Sequence, residues 1–228
     1  MTAKPLPALT LVQTRVLGVL VEKERTVPDT YPLTLNALVS GCNQKTSRAP
    51  VIDAIDSEVQ GALDSLKGLS LVIESSGGRV ARYEHNLGRV LQVPTQSAAL
   101  LTVLMLRGPQ TLGELRIGCE RLHRFADTSA VEGFLNELAS RPAAALVVEL
   151  PRLPGARENR WAHLLSGMPA IEAQPPATAG GEVALGEMAA LKANVARLEG
   201  EVVALKALVA RVCAELGIPS QANPGNTE

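Results

Sequence analysis

The residues most able to bind a metal or act as nucleophiles are few and scattered. Cys119 and His123 stand four apart, one helical turn, and so supply half of a metal site; no second pair accompanies them. His85 and His163 each follow an aromatic, Tyr83 and Trp161, on segments that read as strands, where a packed or capping histidine is expected. The three cysteines, Cys42, Cys119 and Cys213, are odd in number and far apart, which is no disulfide framework. The glycine pairs at 77–78 and 180–181 lack the following Lys-Ser/Thr of a phosphate-cradling loop. No carboxylates are spaced as an acid–base pair. The expectation is a non-enzymatic chain with no catalytic residue, no cofactor and no metal.

Binding chemistry is better represented. The stretch CNQKTSR, residues 42–48, sets small, polar and basic residues in a row between two helical patterns. Asn43, Gln44, Lys45 and Arg48 are types that donate to phosphates and base edges. A solvated loop, with Asn43 ending a helix in a left-handed conformation, is the plain alternative. A second candidate surface comes from two segments, GGRVARYEH from Gly77 and GARENRWAH from Gly155. They align at a constant offset and place Arg79, Arg82, Arg157 and Arg160 in register. Charged hairpin tips also serve solubility, so contact and solvation both fit these arginines.

The matched segments lie in matched surroundings. Residues 10–25 carry apolar residues close to helical spacing. A second helix is expected from about Pro32 to Cys42, with Pro32 in its first turn. A third starts near Asp53 or Asp56, either a plausible N-cap. LSLVIESSGGRVARYEH then reads as strand, turn, strand, with Gly77-Gly78 suited to a tight hairpin. Period two puts Arg79, Ala81, Tyr83 and His85 on one strand face and Val80, Arg82 and Glu84 on the other. The order recurs: helices over about Thr95–Arg107, Leu112–Leu122 and Thr128–Arg141, then a hairpin with a longer loop. Three helices and a hairpin is the order of a winged helix. The expected fold is therefore α+β and mainly helical, with winged-helix domains over 8–90 and 91–167. A pair of unrelated α+β modules is the alternative.

The remainder is built differently. Residues 168–181 are rich in Pro, Ala and Gly and read as a linker. Residues 182–217 carry a heptad, with Met188, Val195, Val202 and Val209 at a and Leu191, Leu198, Leu205 and Val212 at d. Mostly Val at a with Leu at d favours a parallel two-stranded coiled coil. Glu187 and Glu201 stand five residues before Lys192 and Lys206, the spacing of interchain g–e pairs. A self-associating helix is expected, with an irregular tail over 218–228 after Gly217 and Pro219.

The stretches EKERTVPDTYPLTLNALVSGCNQKTSRAPV, LLTVLMLRGPQTLGELR and RENRWAHLLSG resemble the YceH-type family of bacterial proteins. The resemblance spans roughly residues 9–167. It implies two winged helices in tandem, often with a helical C-terminal extension, and implies no reaction. Tyr31, Pro32, Leu33, Asn36, Asn43, Gln44, Lys45 and Arg48 match the family motif. The family pattern carries Glu before the motif proline; this chain has Ala49.

Net charge is −1, divided as +1 over 1–90, +1 over 91–168 and −3 over 169–228, so no global basic field draws in nucleic acid. Both expected third helices, DSEVQGALDSLKG and DTSAVEGFLNELAS, are acidic, which opposes their entry into a DNA groove. Five aromatics in the whole chain leave little for base stacking on single strands. The expected partners are a second copy of the chain, then either double-stranded DNA or a protein gripped by the same loops. No apolar run approaches a membrane span, and the N-terminus lacks the apolar core of a signal peptide, so a cytoplasmic location is expected.

Overall fold

The computed structural model describes residues 6–75, 80–152, 155–169, 202 and 207. Among them are seven helices and two antiparallel ribbons, an α+β arrangement. Helices α1 (Leu11–Thr26), α2 (Leu35–Cys42) and α3 (Asp56–Gly68) precede strands β1 (Val72–Ser75) and β2 (Arg82–His85). A short α4 (Leu87–Leu91) leads to α5 (Thr95–Arg107), α6 (Leu112–Gly118) and α7 (Thr128–Ala139), then strands β3 (Val147–Leu150) and β4 (Arg160–His163). No described helix is long and apolar enough to cross a membrane.

The two halves are built alike in detail. In each, one residue before the second helix pairs with the returning hairpin strand. Leu33 and Tyr83 exchange both backbone bonds, at 3.0 and 2.8 Å, and Gln110 and Trp161 do the same at 3.0 and 2.7 Å. Each ribbon thereby gains a one-residue third strand. The second helices then start on equivalent caps. The Thr34 hydroxyl accepts from the Ala37 amide and the Thr111 hydroxyl from the Glu114 amide, satisfying one orphan N–H in each first turn. The sequences agree here too, TLNALVSGC against TLGELRIGC, a recurrence that the hairpin alignment did not reveal.

Pairing at Leu33 explains why α2 begins later than expected. Pro32 stands outside the helix, because Leu33 is committed to the ribbon and Thr34 is the cap. Asp56 is likewise the first residue of α3 and not its cap; the N-cap is Ile55, whose amide donates to the Glu58 carboxylate at 3.0 Å. The facing of β2 follows the period-two expectation, with Tyr83 buried and Arg82 exposed. Gly77, Gly78 and Arg79 lie outside the described residues.

The glycines near the ends of α2 and α6 let helices approach closely. A Cβ on Gly41 would stand 2.6 Å from Val19 Cγ1, and one on Gly118 would stand 3.0 Å from Val103 Cγ1. The same glycine–valine contact thus joins the first and second helices of both halves. Gly41→Ala gains about 1 kcal/mol of helix propensity, but overpacking against a stiff β-branched neighbour costs about 1–3 kcal/mol. The expected result in urea unfolding is a net loss of stability; a gain would contradict the close approach.

The halves share one core. Helix α1 packs along α5, where Gly18 admits Leu106, and the described residues 6–169 belong to one compact unit. Val16, Leu17, Leu20, Leu100, Leu101 and Leu104 of these two helices are fully buried, so the junction is part of the apolar core. The expected boundary at residues 90–91 falls inside α4. Arg141 fixes that corner by donating to the Leu91 and Gln92 carbonyls at 2.6 and 3.2 Å.

The recurring histidines have different surroundings. His85 Nε2 lies 3.2 Å from Glu24 Oε2. His163 has no such carboxylate among the described residues, its Nδ1 is buried without a partner there, and burial pushes its pKa down to about 4. An unfolded histidine titrates near 6.5. The unfolded state therefore binds more protons between those values, and stability present above pH 6.5 is lost as pH falls toward 4. Urea unfolding at pH 7 and pH 5 is expected to differ by about 2 kcal/mol from this group. The difference should vanish in His163→Leu; an unchanged pH dependence would contradict burial of the neutral ring.

Candidate nucleic-acid interface

The CNQKTSR stretch is an ordered loop built around a buried arginine. Arg48 has a fully buried side chain, and its guanidinium uses all five N–H donors. Nε donates to the Gly41 carbonyl at 3.1 Å. Nη1 donates to Glu22 Oε1 at 3.1 Å and to the Ser47 carbonyl at 2.9 Å. Nη2 donates to Glu22 Oε2 at 2.6 Å and to Gln44 Oε1 at 2.8 Å. The fork-on-fork pairing with Glu22 is the strong bidentate geometry of Arg with carboxylate.

Asn43 closes the loop at its other end. Its side-chain amide accepts from the Ala54 N–H at 2.8 Å and donates to the Ala54 carbonyl at 2.9 Å. Asn43 does follow α2, but its φ is −89°, so it does not end the helix in a left-handed conformation. The left-handed residue is Ser47, at φ 58°. A non-glycine residue there is uncommon, and both flanks hold it. Arg48 binds its carbonyl, and Arg107 Nη2 donates to its hydroxyl at 3.1 Å. Ala49 N–H donates to the Leu106 carbonyl at 2.8 Å, so the loop is docked on the end of α5.

A second arginine, Arg15 on α1, lies beneath the loop with no exposed surface. It donates to the Cys42 carbonyl at 3.0 Å and the Pro50 carbonyl at 2.6 Å, while its Nε has no partner among the described residues. Burial first, and then the neighbouring Arg48 charge, lower its pKa. The Cys42 thiol is pushed up to about 11 by burial, and Cys119, at the equivalent place in the second half, to about 12. Neither is a ready thiolate near neutral pH.

These positions change the reading of the sequence candidates. Gln44 is bonded to Arg48 and Asn43 to Ala54, and Arg48 has no donor left for a phosphate. Lys45, Thr46 and Ser47 are the exposed crown. Arg82 and Arg160 perform the same task in the two halves. Arg82 Nη1 donates to the Pro32 carbonyl at 2.7 Å; Arg160 Nη1 donates to the Pro109 carbonyl at 3.4 Å, with Nη2 3.6 Å from Glu114. Each pins its hairpin to the segment entering the second helix. Arg157 is exposed, as is Arg152 nearby, and neither has a hydrogen-bond or ion-pair partner among the described residues. Arg79 lies outside the described residues. So do the heptad positions Met188, Leu191, Val195, Leu198, Leu205, Val209 and Val212; Val202 is helical and exposed.

The acidic third helices turn their charge outward. Asp56, Glu58 and Asp64 on α3 are exposed, as are Glu132 and Glu137 on α7. Basic groups converge elsewhere, in a cleft of about 440 Å³ where the two halves meet. Lys23 comes from α1, Lys45 from the loop, Arg107 from the end of α5 and Arg121 from the turn after α6. Sequence reading missed three of these four, because they are far apart in the chain and no shared motif marks them. Cys119 and His123 form no metal cluster with other ligands among the described residues; His123 packs edge-on against Phe125, ring centroids 4.8 Å apart.

Relatives share this layout's sequence over most of its length. The profile described as "Protein of unknown function, DUF480" matches residues 9–156. A UPF0502 protein of Dechloromonas aromatica is 68% identical over 171 residues, 75% of this chain and 80% of the relative. One from Methylibium petroleiphilum is 62% identical over 215 residues, 93% of this chain and 92% of the relative. One from Burkholderia multivorans is 60% identical over 227 residues, 99% and 96% of the two chains. With the loop, the caps and the first hairpin inside the matched region, the chain belongs to the DUF480 (UPF0502) family, consistent with the YceH-type resemblance of its motifs.

Proposed function

We propose that the chain is a non-enzymatic tandem winged-helix protein that dimerises through its heptad segment and binds double-stranded DNA by its backbone. The observation that carries this reading is the paired topology. In each half the segment before the second helix joins the returning hairpin strand, at Leu33–Tyr83 and Gln110–Trp161, a pairing that supports a helix-turn-helix with a wing. The outward carboxylates of α3 and α7 disfavour groove entry by the third helices. Contact then falls to phosphates and is sequence-tolerant and steeply salt-dependent. The exposed Arg152 and Arg157 of the second wing are the groups best placed for it.

Fluorescence anisotropy with a mixed-sequence duplex tests this. Affinity is expected to fall linearly in logarithmic salt. Arg152→Ala with Arg157→Ala should flatten the slope by about one for each phosphate that is no longer neutralised. Those residues are preferable to Arg82 and Arg160, whose removal would loosen the hairpins themselves. No binding at the lowest salt would overturn the reading. A scaffold that grips a basic protein is the second reading, supported by the exposed carboxylates of α3 and α7. Capture from lysate that survives nuclease treatment would favour it.

A further inference from the structure

The junction cleft has features that duplex binding by the wings does not use. Lys45, Arg107 and Arg121 converge on it, and none pairs with a carboxylate among the described residues. The acid on its wall, Glu22, has both oxygens committed to Arg48. The Thr46 and Ser47 hydroxyls add neutral donors. The cleft is thus a concave site with about three unneutralised positive charges. Its volume, about 440 Å³, is within the usual range for small ligands.

A second observation points to the same place. The equivalence of Gly41–Val19 with Gly118–Val103 sets the register between the halves, and in that register Glu22 corresponds to Leu106 and Arg48 to Phe125. Both Leu106 and Phe125 are buried. The second half therefore carries buried apolar residues at both positions, and apolar replacement of a buried ion pair commonly leaves stability unchanged or improved. The first half keeps a desolvated ion pair, a second buried arginine and a left-handed serine at the corresponding place. That polar network shapes the loop whose crown, Lys45 to Ser47, lines the cleft.

We propose that this cleft is a binding site for a small anion bearing two or more phosphate charges, with Lys45, Arg107 and Arg121 as its contacts and Arg48 as a positioning residue. Such a ligand would bridge the first half, through Lys45, and the second, through Arg107 and Arg121. It would hold the two halves together without touching the wings. The proposal does not rest on the duplex reading, since its contacts are separate from Arg152 and Arg157.

Calorimetric titration of the full chain with inorganic pyrophosphate tests it, alongside a mixed-sequence duplex. Pyrophosphate is expected to bind, and Lys45→Ala or Arg121→Ala, both at exposed positions, should each weaken it about tenfold. Arg157→Ala should leave pyrophosphate affinity unchanged. Glu22→Leu with Arg48→Phe should keep the fold yet weaken pyrophosphate, a separation that a purely structural role for the pair would not give. No heat at millimolar pyrophosphate overturns the proposal. Duplex binding that depends on Lys45 and Arg121, with no pyrophosphate binding, also overturns it and assigns the cleft to nucleic-acid phosphates.

Discussion

Replacing Glu22 with Leu is expected to destabilise the protein by about 3 kcal/mol, the lower end of the cost of breaking a buried ion pair. The lower end applies because the Glu22 side chain keeps 18% exposure while that of Arg48 has none. Without Glu22, Arg48 retains its bonds to Gly41, Ser47 and Gln44 but has no counter-charge. Arg15, already depressed by burial and by Arg48, lies beside it, so two guanidiniums would share one desolvated region. Adding Arg48→Phe should restore stability to within about 1 kcal/mol of the parent, because apolar replacement of a buried pair is near neutral. Urea unfolding of the four chains in this cycle gives the coupling. A Glu22→Leu chain as stable as the parent, or a double variant no better than the single, would mean that the pair does not close the loop.

Truncation after Gly167 is expected to convert a dimer into a folded monomer. The heptad supplies the self-association in this reading, and residues 6–169 have their own core. Sedimentation velocity and circular dichroism check the two halves of that expectation. Duplex affinity should fall by about 100-fold in the monomer, because the second protomer's basic groups are no longer at high effective concentration. A dimer that persists after truncation would place the interface within residues 6–167. Loss of cooperative unfolding in the truncated chain would mean that the C-terminal segment supports the core.

The helices and hairpins are legible in the sequence because local pattern governs them. α5 begins and ends at the expected Thr95 and Arg107, where apolar periodicity is strong and Gly108 follows. The start of α2 is not, because Pro32 suits a first turn equally well; a pairing of Leu33 with Tyr83, fifty residues away, decides it. Two shorter elements give no sequence signal, α4 and the 3-10 turn at Pro28–Thr30. Both are too brief for periodicity to register.

The loop is harder for a physical reason. Lys45 and Arg48 are equally basic in the sequence, yet one is exposed and the other fully desolvated. What separates them is Glu22, a full helix away, whose carboxylate makes burial of Arg48 tolerable. The pairing of Arg82 and Arg160 does signal a shared role, but that role is to hold the hairpin against Pro32 and Pro109. Recurrence marks the groups that build the repeat, while two basic groups of the cleft, Lys45 and Arg121, come from positions where the halves differ. Gln44 and Arg121 illustrate this: they are equivalent in register, but one is bonded to Arg48 and the other faces the cleft.

Amide hydrogen exchange across residues 43–54 tests most directly whether this stretch is a surface held from within. The amides of Ala49 and Ala54 donate to the Leu106 carbonyl and to Asn43 Oδ1, although Ala49 is exposed and both lie outside any helix or strand. Both are expected to be strongly protected in the parent, and protection at Ala54 should drop in Asn43→Ala. Exchange of both at free-chain rates in the native protein would show that the segment is an unsupported spacer.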